Sequence, residues 1–239
     1  MISHKYKCVF IHIPKTAGTS ISKQLGLFEE SDIGLQDHRP ILDIEPLSFS
    51  YLQVLWNSND RFREIRRQLG NWRRGQKRAS RKQYDSYFKF AFVRNSWARV
   101  ASWYKGVMRT DRIRQELGVP VDCSFLQFLT CHQDQWHLKS QLYWITNARG
   151  QIDVDCIGDF SRLGEDWAGI CDTLGIEDKQ LTKELMFGGK NMQYTELYCD
   201  ETKDIVGRRY AKEIDLFGFT FGEQSRPFSR SLNEACDGD

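Results

Sequence analysis

The residues with the most chemical potential fall in two short stretches. The first is IPKTAGTS, residues 13–20, which follows the apolar run CVFIHI. Backbone N–H groups at the start of a helix attract anions, and the helix dipole adds to the attraction. Gly18 permits close backbone approach, Thr16, Thr19 and Ser20 supply hydroxyls, and Lys15 supplies a mobile cation. Together with Ala17 these residues form a candidate phosphate cradle. The stretch departs from the GxxxxGK[ST] pattern because its lysine precedes its glycine. The Ser/Thr that would hold Mg²⁺ beside an ordinary P-loop lysine is displaced. Such a site need not be built around a nucleoside triphosphate and magnesium. Taken alone, the same residues also fit a plain strand-to-helix turn.

The second stretch is FVRNSWARVASWY, residues 92–104. Arg94 brings a guanidinium fork suited to phosphate, and Ser102 lies eight residues on. A helix starting near Ser96 places Ser102 about two turns inside it. Arg99 is a further cation nearby. In isolation, this pair reads equally as a surface arginine and a helix serine.

Three strands must carry these stretches: 8–13, 88–93 (FKFAFV) and 152–157 (IDVDCI). Apolar spacing predicts helices through Ile21, Leu25 and Phe28; through Leu52, Leu55, Phe62, Ile65, Leu69 and Trp72; and from an Asn95 or Ser96 cap through Val100 and Tyr104. Weaker helices are expected at 124–129 and 136–145. Another carries Leu163, Trp167, Ile170, Cys171 and Leu174, and a last one runs from an Asp200 cap through Ile205, Tyr210 and Ile214. Residues 31–50 read as loop, and 73–84 as a polar, mobile loop. Strands alternating with helices predict an α/β fold with a parallel sheet covered on both faces. Ligands bind such sheets at the carboxyl ends of the strands.

With 239 residues, 40% hydrophobic and 28% charged, the chain can bury a substantial core, which excludes disordered and collagen-like classes. The seven cysteines form no CxxC pair, so free thiols are expected rather than a zinc ribbon or redox motif. No apolar run reaches a membrane span and no signal peptide is legible, so a soluble, non-secreted chain is expected. The net charge of +2 hides an asymmetry. Residues 61–82 hold ten Lys or Arg and one Glu, while the remainder sums to −7. This run fits the solvated face of a helix or a contact for an anionic acceptor. No recognition motif for nucleic acid accompanies it.

IHIPKTAGTS followed by FVRNSWARVASWY resembles the carbohydrate sulfotransferases that use 3′-phosphoadenosine 5′-phosphosulfate. The resemblance extends through DVDCIGDFSRLGEDWAGICDTLGI and YTELYCDETKDIVGRRYAKEIDLFGFTF, and covers most of residues 6–221. It implies a P-loop-type, sulfotransferase-like α/β fold: one domain over 1–221, with a basic insertion at 50–86 and a tail at 222–239. It further implies that Lys15, Thr16, Ala17, Gly18, Thr19 and Ser20 hold the 5′-phosphosulfate, and that Arg94 and Ser102 hold the 3′-phosphate, with no metal. The sequence departs from the family where Ser161 follows Phe160 and where MFGGKNMQY replaces an Asn-Lys-Ser stretch.

A hydroxyl acceptor, carbohydrate or glycoconjugate, makes a general base useful. Several relatives carry a basic histidine in the loop after the first helix, which favours His38 in QDHRPILDI. His137, beside KSQLY, is the second choice. His12 lies in the strand and is expected to pack against the sheet. Lacking the anchor of the Golgi-type relatives, the chain is expected to be a cytoplasmic, bacterial enzyme. Two other classes remain: a small-molecule kinase, which would want an acidic residue ending a neighbouring strand, and a non-catalytic nucleotide- or glycan-binding protein.

Overall fold

The computed structural model describes residues 1–27, 37–47, 61–76, 78–181 and 193–223. Phe28, Leu52, Leu55, the MFGGKNM segment 186–192 and the tail from 224 lie outside the described residues. Four strands form one sheet in the order β1 (Ile2–Ser3), β2 (Cys8–Ile11), β3 (Phe88–Val93) and β4 (Cys156–Asp159). β2, β3 and β4 run parallel, and β1 adds an antiparallel edge. In chain order the helices are α1 (Gly18–Gln24), α2 (Ile41–Ile44), α3 (Arg61–Arg73), α4 (Arg81–Ser86), α5 (Ser96–Arg109) and α6 (Asp111–Glu116). They continue as α7 (Phe125–Cys131), α8 (Gln141–Ile145), α9 (Leu163–Leu174), α10 (Asp200–Arg209) and α11 (Ala211–Phe217).

Successive strand residues point to opposite faces, and the core divides accordingly. Phe10, Phe90 and Phe92 pack with Ile21 of α1, with Leu25 just past its end, and with Trp167 and Ile170 of α9. Val9, Ile11, Ala91 and Val93 pack on the other face with Val100 and Trp103 of α5, Phe128 of α7, Trp144 of α8 and Val206 of α10. The parallel sheet covered on both faces is the architecture expected. Its three parallel strands bring Ile11, Val93 and Asp159 to one edge, with Val93 directly opposite Asp159. The loops after β2, β3 and β4 therefore share one end of the sheet.

Several local expectations need correction. The first strand stops at Ile11 rather than residue 13. The third lies at Cys156–Asp159, not 152–157. Ile152 forms an isolated antiparallel bridge with Thr146 instead. The Asp153 carboxylate accepts from the Tyr84 hydroxyl at 2.7 Å, and Asp155 bonds to the backbone of Lys89. Polar side chains thus take up the alternation that resembled a strand. At Gly158 an added Cβ would sit 2.3 Å from the Phe92 ring, so only glycine lets the strand pass there.

Residues 73–84 are not simply a loop. α3 runs to Arg73, and Ser80 with Gln83 forms a capping box that starts α4. The 31–50 region contains α2, whose Ile41 and Ile44 are fully buried. The expected 136–145 helix divides into a 3₁₀ turn, Trp136–Leu138, and α8, which Ser140 caps. The last helix breaks at Tyr210 and is capped by Cys199 rather than Asp200.

Candidate active site

The loop after β2 is shaped by two residues in the left-handed region, Lys15 (φ 72°) and Ala17 (φ 66°). Neither is glycine, and such conformations cost on the order of 1–3 kcal/mol each. Left-handed residues alternating with others turn successive N–H groups inward to make an anion-binding nest. The Thr16 hydroxyl donates to the Ile13 carbonyl at 2.9 Å, and its side chain is fully buried. Thr16 therefore braces the loop with its side chain. The Ser20 hydroxyl, partly exposed, has no hydrogen-bond partner among the described residues.

Gly18 opens α1 against His12. A Cβ there would lie 1.8 Å from the His12 ring. The nest thus needs glycine because the histidine fills the space a side chain would occupy.

Arg94 leaves β3 beside this loop, and its Nη1 donates to the Lys15 carbonyl at 3.2 Å. The guanidinium stacks on Phe160, 4.1 Å from the ring centre. Its Nε is buried without a partner among the described residues. Burial and the nearby Arg99 charge lower the Arg94 pKa to about 10.

Ser102 and Gly106 are four apart on α5 and so share a helix face. A Cβ at Gly106 would lie 3.5 Å from Lys15 Nζ, so the lysine reaches the face that carries Ser102. The Ser102 hydroxyl is partly exposed, with no hydrogen-bond partner among the described residues. Burial first, then the charges of Arg94 and Arg109, lowers the Lys15 pKa to about 8. Lys15, Arg94 and Ser102 are brought together, and Arg109 is a cation the sequence pattern did not single out.

His38 lies against the same loop. Its ring centre is 4.1 Å from that of His12 and 6.4 Å from that of His137. His38 Nδ1 is 3.2 Å from the His12 carbonyl oxygen. A carbonyl only accepts, so Nδ1 carries the proton and Nε2 keeps its lone pair. Burial depresses the His38 pKa. Burial, then His38 and Lys15, pushes that of His137 down to about 4. Both imidazoles are neutral at pH 7 and able to accept a proton. His137 stacks on Trp103 at 4.1 Å. His12 packs as expected against Phe10 on the sheet, with a strongly depressed pKa from burial.

Sequence reasoning missed the scaffold beneath these groups. Arg99 is wholly buried and donates to the carbonyls of His137 (3.1 Å) and Lys139 (2.7 Å), holding the histidine turn. The Glu213 carboxylate, fully buried on α11, accepts from Ser96 (2.7 Å), Ser140 (2.6 Å) and Gln141. Gln141 in turn bonds the backbone of Arg94. The KSQLY and YAKEIDLF stretches were both legible, but neither marked Gln141 or Glu213 as a member of this network.

A cavity of about 640 Å³ opens beyond Ser140 and Glu213, lined also by Leu42, Tyr143 and Lys212. It contains none of Lys15, Arg94, Ser102, His38 or His137, so the converging side chains define the site.

Residues 1–220 match the family model described as "Sulfotransferase family". The chain belongs to this sulfotransferase family. A protein of Archaeoglobus fulgidus named only as uncharacterized is 28% identical over 102 residues, 43% of this chain and 79% of the relative. No solved structure matches. The fold is the sulfotransferase-like α/β fold expected, and family membership supports sulfotransfer to a hydroxyl-bearing acceptor as the general activity. Among the described residues no helix is long and apolar enough to cross a membrane.

Proposed function

We propose that this sulfotransferase moves a sulfuryl group from 3′-phosphoadenosine 5′-phosphosulfate to a hydroxyl of a carbohydrate or glycoconjugate, in line and without a metal ion. The observation that carries this reading is the hydrogen bond from Arg94 to the Lys15 carbonyl, which joins the two anion-binding stretches at neighbouring strand ends. The site suits a nucleotide with phosphates at both ends. The left-handed nest offers N–H donors at one place, and the guanidinium with an unpartnered Nε, beside the Ser102 face, offers donors at another.

In this reading the nest amides around Gly18, with Thr19 and Ser20, hold the 5′-phosphosulfate. Arg94 and Ser102 hold the 3′-phosphate. The bound nucleotide supplies an activated sulfuryl group and a phosphate leaving group. Lys15 neutralises charge developing on the bridging oxygen, a role that needs a positioned cation more than covalent chemistry. His38 takes the acceptor proton at Nε2, and its Nδ1–H bond to the His12 carbonyl fixes that tautomer. His137, 6.4 Å away, is the alternative base. The same reading takes 1–221 as one catalytic domain.

One observation favours a second reading. Asp159, which ends β4, has one buried carboxylate oxygen without a hydrogen-bond partner among the described residues. A kinase could use such a group to hold Mg²⁺. Calorimetric titration separates the two. Binding of adenosine 3′,5′-bisphosphate in the absence of magnesium is the expected result. Preference for ATP with Mg²⁺ and indifference to the bisphosphate would overturn the proposal. Bisphosphate binding without transfer of labelled sulfate to any hydroxyl acceptor tried would point to the non-catalytic class.

A further inference from the structure

The basic, helical insertion is attached to the body in an unexpected way. Gln68 and Asn71 of α3 both donate to the Asp43 carboxylate of α2. Arg78 donates to the carbonyls of Leu42 (2.8 Å) and Glu45 (2.7 Å) and to the Gln68 side chain (3.1 Å). The helix is thus held by polar groups, and Asn71 is only 5% exposed.

Three of its apolar residues remain outside. Ile65, Leu69 and Trp72 are 42%, 51% and 76% exposed. At about 100° per residue, the three lie within roughly 60° of one another on the helix, with Arg73 and Arg66 next to them. They supply three of the six large exposed apolar side chains among the described residues, all on one helix face, so this exposure is concentrated rather than scattered. The surrounding charge is equally one-sided. Residues 61–82 carry ten cations and one anion, against −7 for the rest of the chain. Arg66, Arg73, Arg74, Arg81 and Lys82 are all exposed.

We propose that α3 docks the protein on an anionic lipid surface. Ile65, Leu69 and Trp72 enter the boundary between headgroups and acyl chains, and Arg66 and Arg73, which edge the stripe, face the headgroup charges. A helix with an apolar, Trp-containing stripe edged by arginine is the chemistry that lies in such an interface. The acidic remainder is repelled by the same surface, so approach is oriented with α3 leading. A symmetric dimer through the stripe fits less well, because it would bring two rows of arginine against each other.

The test is flotation of the full chain with vesicles of phosphatidylcholine alone or mixed with phosphatidylglycerol, at low and high salt. Binding is expected only to the anionic vesicles and is weakened by salt. Arg66→Ser and Arg73→Ser should each weaken it roughly fivefold, and Leu69→Ser with Trp72→Ser by at least about tenfold. Circular dichroism melting checks that these exposed substitutions leave the fold intact. Failure of the unaltered protein to float overturns the proposal, as does unchanged flotation of the Leu69/Trp72 variant. Sedimentation showing a dimer that this variant dissolves would also overturn it, because a second copy would then cover the stripe. Adenosine 3′,5′-bisphosphate binding plays no part in the readout, so the result stands apart from the catalytic reading.

Discussion

The Gln141 side chain holds the backbone of Arg94 from both sides. The Arg94 N–H donates to Gln141 Oε1 at 2.8 Å, and Gln141 Nε2 donates to the Arg94 carbonyl, also at 2.8 Å. A glutamine thus does at the end of β3 what a neighbouring strand does along its length. Nε2 also donates to Glu213 at 3.0 Å, which fixes the amide's orientation. The cation at the centre of the site is therefore aimed by residues 47 and 119 positions away in the chain.

Gln141→Ala should therefore act on nucleotide affinity more than on turnover. Arg94 N–H and C=O would both lose their partner in a buried setting, at a cost of about 1–3 kcal/mol for each unsatisfied group. The expected outcome is a lower melting temperature and roughly tenfold weaker adenosine 3′,5′-bisphosphate binding, with kcat at saturating donor largely retained. Glu213→Ala should be worse, because it leaves several donors around a buried site without an acceptor, each costing about 1–3 kcal/mol. Unaltered bisphosphate affinity in a folded Gln141→Ala protein would show that Arg94 needs no such brace.

Arg94→Ala should weaken bisphosphate binding roughly 10–100-fold, the range for losing charge-assisted hydrogen bonds. Arg94→Lys should recover only part of this. Lysine lacks the planar fork that stacks on Phe160 while donating to the Lys15 carbonyl. Full recovery by lysine, measured calorimetrically, would reduce the role of Arg94 to simple charge.

How much of this site was legible in the sequence depends on the kind of residue. Lys15, Gly18, Arg94 and Ser102 belong to contiguous strand–turn–helix stretches, whose apolar runs and turn residues mark the strand ends that carry them. Local pattern sufficed there. Arg99 reads from the sequence as a further cation rather than a brace, and Gln141 and Glu213 carry no such mark, because a buried polar residue inside a helix looks like a surface one until its partners are known. Their partners come from distant segments: Ser96 to Glu213 spans 117 positions. The third strand was misplaced for a related reason. Asp153 and Asp155 are satisfied by Tyr84 and Lys89 from another part of the chain, and no local rule sees those partners. The stripe on α3 was legible as a periodic pattern, yet its orientation was not, since Asp43 decides which face turns inward.

The pH dependence follows from Lys15 and the histidines. With a Lys15 pKa of about 8 in the free protein, the ammonium is present below that pH and lost above it. An anion binds the protonated form, so bisphosphate affinity should fall as pH rises through about 8, and Lys15→Met should flatten that limb. On the acid side the lowered pKa values of His38 and His137 keep both bases neutral to below 6.5. Turnover should therefore persist to more acidic pH than an unperturbed histidine allows. His38→Ala should lower kcat by roughly 10²–10⁴ with little change in donor affinity, the usual range for a general base. Unchanged kcat would transfer the role to His137.

Gly18 and His12 offer a test of the nest that does not depend on catalysis. Gly18 is outside the set of positive-φ residues, so its backbone would accept alanine. The obstacle is steric alone: the new Cβ would meet the His12 ring at 1.8 Å. That ring cannot swing aside freely, because it stacks on Phe10 and lies against the tilted ring of His38. Gly18→Ala should destabilise the protein by about 1–3 kcal/mol, the usual cost of overpacking, and weaken bisphosphate binding. His12→Ala removes the obstructing ring but keeps the backbone carbonyl that accepts from His38 Nδ1. In the double variant the alanine methyl would have room, so thermal melting should show Gly18→Ala costing much less in the His12→Ala background. Neighbouring residues that collide couple in this non-additive way. Additive losses across the four proteins would mean that the loop relieves the clash by moving, and that the glycine is not there to admit the histidine.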